Sequence, residues 1–247
     1  MKGVAAVVVG YNPDIQVLDS LLASLVDQVD LLVLVDNGGA SLFLESSPTI
    51  RDRIRYIPLG ENKGLGFALN IGFSCAIDEG NDYVVTFDQD SHAQSDLIST
   101  LHQAMCKAKL MDGNAIAVSP TFFDRRDGKQ IKFPFYSSSS GAIRAIFQSD
   151  DEHGLVKADA LITSGMLVDT RAWKKGIKYD DGMFVDFTDT EWCFRVRDRG
   201  FSLYGCLKVE MGHALSDAPP VKILGLSFFR YSDRKSTRLN SSHPLDL

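Results

Sequence analysis

The chain has 247 residues, 45% hydrophobic and 23% charged, which excludes wholesale disorder and leaves enough apolar material for a large core. Its 26 basic residues against 32 acidic ones give a net charge of −6, which argues against a general nucleic-acid binder with a basic face. Cys75, Cys106, Cys193 and Cys206 form no CxxC pair, and no apolar run approaches the roughly 18 residues of a membrane span. A cytoplasmic protein is expected, one that would meet a membrane only from the side.

The first half alternates strand and helix signals. Residues 4–9 are a continuous apolar run, the mark of a strand covered on both faces. Asn12-Pro13 offers a helix start with proline at the first position, and Ile15, Leu18, Leu21, Leu22, Leu25 and Val26 follow at helical spacing. Strands are predicted at 31–35 and 54–58, then a helix opening within 62–70 and running to about 78. A strand at 83–87, a helix at 95–109 and a strand at 115–119 complete the series. Such alternation predicts a mostly parallel sheet with helices on both faces. The second half is less regular. Residues 121–157 read as a polar surface excursion, 158–168 as one apolar strand, 188–199 as a helix ended by Gly200, and 202–209 as a last strand.

Ligands of parallel sheets bind outside the carboxyl ends of the strands. Asp88-Gln89-Asp90 follows a buried strand directly, and two acids one residue apart repel unless a cation sits near them. A divalent metal with oxygen ligands resolves that repulsion; a solvated turn is the alternative reading. Asp36 ends another strand in Asp36-Asn37-Gly38-Gly39, either capping its own turn or bonding a nucleotide base or ribose. Gly10-Tyr11-Asn12 follows the first strand, where Tyr11 would stack on such a base, or where Asn12 would simply cap a helix. Gly64 and Gly66 stand near a helix start whose N–H groups favour a phosphate. Thr188-Asp189-Thr190-Glu191 fits a capping box, with Thr188 as N-cap and Glu191 at the third position, yet Asp189 could instead act as a general base. Trp192 is either core or a substrate platform. His213, after the last strand, is a metal ligand or an ordinary histidine.

In this order the pieces resemble the inverting family 2 glycosyltransferases of the GT-A fold, and among them the rhamnosyltransferase-like members. The matching residues are Val8-Val9-Gly10-Tyr11-Asn12, Val35-Asp36-Asn37, Asn62-Lys63-Gly64, Asn70-Ile71-Gly72, Asp88-Gln89-Asp90, Thr163-Ser164-Gly165, Asp189-Thr190-Glu191-Trp192-Cys193-Phe194-Arg195 and Gly212-His213. The resemblance implies a nucleotide-sugar donor, dTDP-rhamnose for preference. Tyr11, Asn12, Asp36, Asn37, Gly64 and Asp88 would contact it. Mg²⁺ or Mn²⁺ would sit on Asp88, Asp90 and His213. Asp189 would be the base, and Ser164, Gly165, Glu191 and Trp192 would shape the sugar and acceptor pocket. The acceptor implied is a bacterial polysaccharide or lipid-linked glycan, as in O-antigen or cell-envelope synthesis, with peripheral membrane association. Gly38-Gly39 departs from the family, which often has a serine there.

Two other functions fit parts of the pattern. A nucleotidyltransferase would also use paired acids and a metal, but Gly10-Tyr11-Asn12-Pro13 lacks its glycine-rich basic loop. An inactive nucleotide-sugar-binding scaffold is the other. A single domain is expected over residues 1–232, its nucleotide-binding half about 1–120 and its acceptor half about 121–232. From Asp233 the string Asp-Arg-Lys-Ser-Thr-Arg-Leu-Asn-Ser-Ser-His has no apolar period and resembles the translation of a sequencing-adapter oligonucleotide. Residues 233–247 are therefore expected to be non-native, with the natural C-terminus missing.

Overall fold

The computed structural model describes residues 3–41, 48–124, 131–138, 141–212, 221–223 and 226–228. The expectations for His213 and the tail from Asp233 lie outside the described residues.

β1 (Val4–Gly10) is buried along its whole length. α1 (Ile15–Leu25) follows and buries Leu18, Leu21, Leu22 and Leu25. Its N-cap is Asp14, whose Oδ1 accepts from the Gln16 and Val17 N–H groups at 2.9 and 3.3 Å. The proposed start at Asn12-Pro13 is thus two residues early: Asn12 takes a left-handed φ of +43° and offers no cap. β2 (Leu31–Asp36), α2 (Pro48–Arg51), β3 (Arg55–Pro58), α3 (Leu65–Asp78), β4 (Tyr83–Asp88), α4 (Leu97–Met111) and β5 (Ala115–Asp124) continue the alternation. The second half holds β6 (Ile131–Lys132), β7 (Phe135–Ser137), β8 (Arg144–Ile146), β9 (Leu155–Ala158), β10 (Met166–Asp169), α5 (Arg171–Lys174), α6 (Thr188–Asp198), β11 (Ser202–Gly212), β12 (Val221–Ile223) and β13 (Leu226–Phe228).

The main sheet runs β3-β2-β1-β4-β10-β5-β11-β9, with β6 on β5. β3, β2, β1 and β4 are parallel, as are β5 and β11. β10 runs antiparallel between β4 and β5. Residues 158–168 are therefore not one strand: β9 ends at Ala158 beside β11, a loop follows, and Met166 starts a second strand between β4 and β5. The register lines up the site-bearing ends, with Gly10 opposite Asp36, Asp36 opposite Pro58 and Val9 opposite Asp88.

Alternate residues of each strand feed two cores, one on each face. Val4, Ala6 and Val8 pack with α1 and α4 through Leu18, Leu22, Leu101 and Met105. Ala5, Val7 and Val9 pack on the other face with α3, α5 and α6 through Leu69, Phe73, Trp173 and Trp192. Phe73 and Trp173 stack with centroids 3.7 Å apart and planes within 7°. α3 lies close to the sheet because Gly72 faces Val7: a Cβ there would stand 2.4 Å from Val7 Cγ1 and 3.1 Å from Cγ2. With both methyls in the way, rotation of the stiff valine offers no escape. Gly72→Ala gains helix propensity but must displace the sheet. The overpacking outweighs it, and we expect a net loss of about 1–2 kcal/mol in urea unfolding with an unchanged m-value.

Candidate active site

The loops at the carboxyl edge of the sheet satisfy one another. After β4 the chain turns through Asp88-Gln89-Asp90, with the Ser91 N–H donating to the Asp88 carbonyl. Asp88 is half-buried and Asp90 exposed, so the second acid stands open to solvent. The residue between them, which the sequence reading left without a role, reaches sideways to β1. Gln89 Oε1 accepts from the Tyr11 N–H at 2.6 Å, and its Nε2 donates to the Tyr11 carbonyl at 3.1 Å.

Asp36 is only 6% exposed. Its Oδ1 accepts from the N–H groups of Gly38 and Ala40, and its Oδ2 accepts from the Tyr56 hydroxyl at 2.5 Å. Burial first, then the bond and charge of Asp36, raise the Tyr56 pKa, so this hydroxyl stays a donor. Asp36 therefore caps its own turn, with three protein donors on a carboxylate that is nearly closed to solvent. Asn37, also buried, donates from Nδ2 to Asn62 Oδ1 and accepts the Lys63 N–H on Oδ1, both at 2.8 Å. It ties the 59–64 loop to β2 and faces inward. Tyr11 and Asn12 remain at the surface of this edge. The Tyr11 ring lies over Gly38, where an added Cβ would stand 3.3 Å from it, and the Asn12 N–H donates to the Gly38 carbonyl.

The phosphate reading of the α3 start is corrected by the fold. Gly64 is buried at φ +89°, and a Cβ on it would come within 3.0–3.1 Å of the Phe184 backbone. The Leu65 N–H, first of the helix, donates to the Phe184 carbonyl at 2.6 Å. A peptide group of the 180–186 loop takes the place that an anion would need.

The turn ahead of β10 links the two halves of the site. Gly165, at φ +72°, donates its N–H to the Thr86 carbonyl, and Thr86 Oγ1 donates to the Thr163 carbonyl. Ser164 Oγ accepts the Asp88 N–H at 3.3 Å and shares a hydrogen bond with Ser91 Oγ. The adjacent Thr163 N–H donates to Asp189 Oδ2 at 3.2 Å. Asp189 Oδ1 accepts from the Thr190 N–H and hydroxyl. Asp88 and Asp189 are thus joined through two hydrogen bonds and the Thr163-Ser164 peptide, on the same side of the sheet.

Of the four residues expected to shape the pocket, three are buried. Ser164 and Gly165 are buried beneath the edge and fasten it; they line nothing open. Trp192 is fully buried, donates from Nε1 to the Ile177 carbonyl, and packs between Trp173 and Tyr179. Glu191 forms a two-pronged pair with Arg195, at 2.5 and 2.6 Å. The capping box is absent as well. The N-cap is Phe187, at φ +62°, and the Thr188 hydroxyl donates backward to Met183 and Val185 carbonyls.

What Asp189 faces instead is a cavity of about 200 Å³ walled by Phe122, Phe133, Phe135, Tyr136, Leu161 and Ile162, with Thr190 beside the carboxylate. Phe122, Phe133, Phe135 and Tyr136 fall inside the segment expected to be a polar excursion. The clue was Phe133-Pro134-Phe135-Tyr136, too aromatic for a solvated loop. Gly205 makes room for this wall, since a Cβ there would fall 2.3–2.5 Å from the Phe135 ring. Cys193 holds the opposite wall: its sulfur accepts the Leu161 N–H at 3.3 Å, and burial pushes the thiol up to about 12, so it stays protonated and inert.

No group of three His, Cys, Asp or Glu that could hold a metal occurs among the described residues. Asp88 and Asp90 suit a hard cation whose remaining ligands come from water and substrate phosphate. No helix among the described residues is long and apolar enough to cross a membrane.

Comparison with known proteins agrees with this geometry. Residues 6–164 match the model of glycosyl transferase family 2. The chain is 29% identical over 226 residues to a dTDP-rhamnosyl transferase, RfbF, of Shigella flexneri, covering 92% of this chain and 73% of that protein. Among solved structures, GalNAc-T7 crystallised with UDP, GalNAc and Mn²⁺ superposes with a TM-score of 0.68 at 13% identity, over 90% of this chain and 44% of that one. S. aureus TarS 1–349 in complex with UDP gives 0.59 at 14%, over 86% and 60%. The chain therefore spans less than two thirds of these solved chains. With its sheet order, its acid-bearing edge and the extent of the family match, the chain has the GT-A fold and belongs to glycosyl transferase family 2.

Proposed function

We propose that the protein is an inverting glycosyltransferase that moves rhamnose from dTDP-rhamnose onto a glycan or lipid-linked glycan acceptor of bacterial surface-polysaccharide synthesis, at the cytoplasmic side of the membrane. The observation that carries this reading is the Thr163-Ser164 bridge, because it holds an acid suited to a base and the acids suited to a cation at one edge. The rhamnosyl relative supports this choice of donor. In this reading residues 1–120 hold the nucleotide, with Tyr11 and Asn12 at its base and ribose. Residues 121–232 hold the acceptor.

Asp88 and Asp90 would hold Mg²⁺ or Mn²⁺, which supplies charge neutralisation for the diphosphate leaving group. Asp189 does the proton work. Two N–H groups and a hydroxyl fix its carboxylate, leaving one acceptor site on Oδ2 for an acceptor hydroxyl in the cavity. It takes the hydroxyl proton as the acceptor oxygen bonds to the anomeric carbon and the bond to the diphosphate oxygen breaks. A single displacement inverts that carbon and needs one base. The aromatic wall suits the C–H face of a sugar ring and excludes water from the reacting atoms.

Asp189→Asn keeps the volume and removes the base. Transfer of rhamnose is expected to fall by about 100-fold or more while the dTDP-rhamnose Kd stays within about twofold of wild type. Near-normal transfer by this variant would remove Asp189 from the role. Asp90→Ala should weaken dTDP-rhamnose binding in the presence of Mn²⁺ and leave the weaker metal-free binding unchanged, measured by titration calorimetry with and without the ion.

A further inference from the structure

We propose that Gln89 sets the span between the base end and the diphosphate end of the donor site, and so acts as a positioning residue for the whole nucleotide. The inference rests on the donor reading above, in which Tyr11 meets the base and Asp88 and Asp90 meet the cation on the diphosphate.

The β1–β4 ladder ends with Val9 opposite Asp88. Beyond that point backbone pairing stops, and the two loops would be free to splay. Gln89 continues the pairing with a side chain. Its amide takes the Tyr11 N–H and gives a hydrogen to the Tyr11 carbonyl, so both polar groups of one peptide position are satisfied by a residue 78 positions away. The bracing does not end at Tyr11. Its ring lies on Gly38, and the Asn12 N–H donates to the Gly38 carbonyl, which carries the link into the turn closed by Asp36. The Asp88-Gln89-Asp90 turn, the Tyr11 loop and the 36–40 turn therefore form one braced edge.

Only an amide of this length serves. Glutamate would keep the bond from the Tyr11 N–H but face the Tyr11 carbonyl with an oxygen, and would add a third negative charge between two aspartates. Asparagine is one methylene short. A ligand gripped at two points gains from a fixed span because its second contact forms without further ordering; a ligand that touches one point gains nothing. This separates a positioning role from a merely structural one.

The test compares wild type with Gln89→Met, which matches the side chain in length and removes both hydrogen bonds. Three probes are titrated with Mn²⁺ present: thymidine, inorganic pyrophosphate and dTDP, the two fragments by ligand-detected NMR. The variant is expected to bind either fragment within about twofold of wild type and dTDP about tenfold or more weakly. With dTDP-rhamnose its KM should rise in step while kcat changes little. Gln89→Asn should lie between the two proteins, and it takes over the comparison if the methionine variant melts early. Equal dTDP affinity in wild type and variant overturns the proposal, and so does an equal loss for all three probes. A wild type that binds no dTDP overturns the donor reading, and this inference with it.

Discussion

One reversed strand governs the site. β10 runs against its neighbours β4 and β5, so its first residue, Met166, pairs with Thr86 near the carboxyl end of β4. The turn before it is thereby delivered to the same edge as Asp88. In an all-parallel sheet that edge would hold only strand ends. Here it also holds a strand beginning, whose N–H groups and side chains are free to bond sideways. Thr163, Ser164 and Gly165 use that freedom, one toward Asp189, one toward Asp88 and one toward Thr86. Ser91 and Ser164 are buried where their bond forms, and a buried polar group left without its partner costs about 1–3 kcal/mol. The edge is accordingly a network whose members depend on each other.

The same network divides the motif residues into those that build the edge and those that face outward from it. Asp36, Asn37, Gly64 and Ser164 are buried, with their polar groups or their space already claimed by protein. Tyr11, Asn12, Asp88, Asp90 and Asp189 keep exposed surface at the rim. Strand-end polar residues attract a functional reading because they stand where ligands bind. Yet a loop must first satisfy its own backbone, and short polar side chains are the cheapest means.

How much was legible follows from this physics. The elements up to 119 were readable because strands covered on both faces are continuous apolar runs, and amphipathic helices carry their own period. The convergence of Asp88, Asp90 and Asp189 on one edge was readable from their places relative to strand and helix ends. Residues 131–168 were not. Their strands are two to four residues long, too short for a period, and their partners are distant: β6 on β5, β9 on β11, β10 between β4 and β5. The aromatic wall was missed for a related reason, since Phe133 and Phe135 sit among serines and charges and acquire a common surface only in three dimensions. Gln89 has no local signal at all, because its partner is 78 residues away.

α6 shows why an acid and an adjoining core can share one short motif. Thr188, Trp192, Cys193 and Val196 are its buried residues, spaced as one helical face. Asp189 lies three, four and seven positions before Trp192, Cys193 and Val196, so it belongs to the flank of that face and not to the solvent side. Burying the tryptophan and the cysteine therefore fixes the rotation of the helix, and the rotation aims the carboxylate at the Thr163 N–H. Glu191 and Arg195, four residues apart, pair on a less buried strip of the same helix. Trp192 acts on this edge from within the core: it holds the helix that carries Asp189.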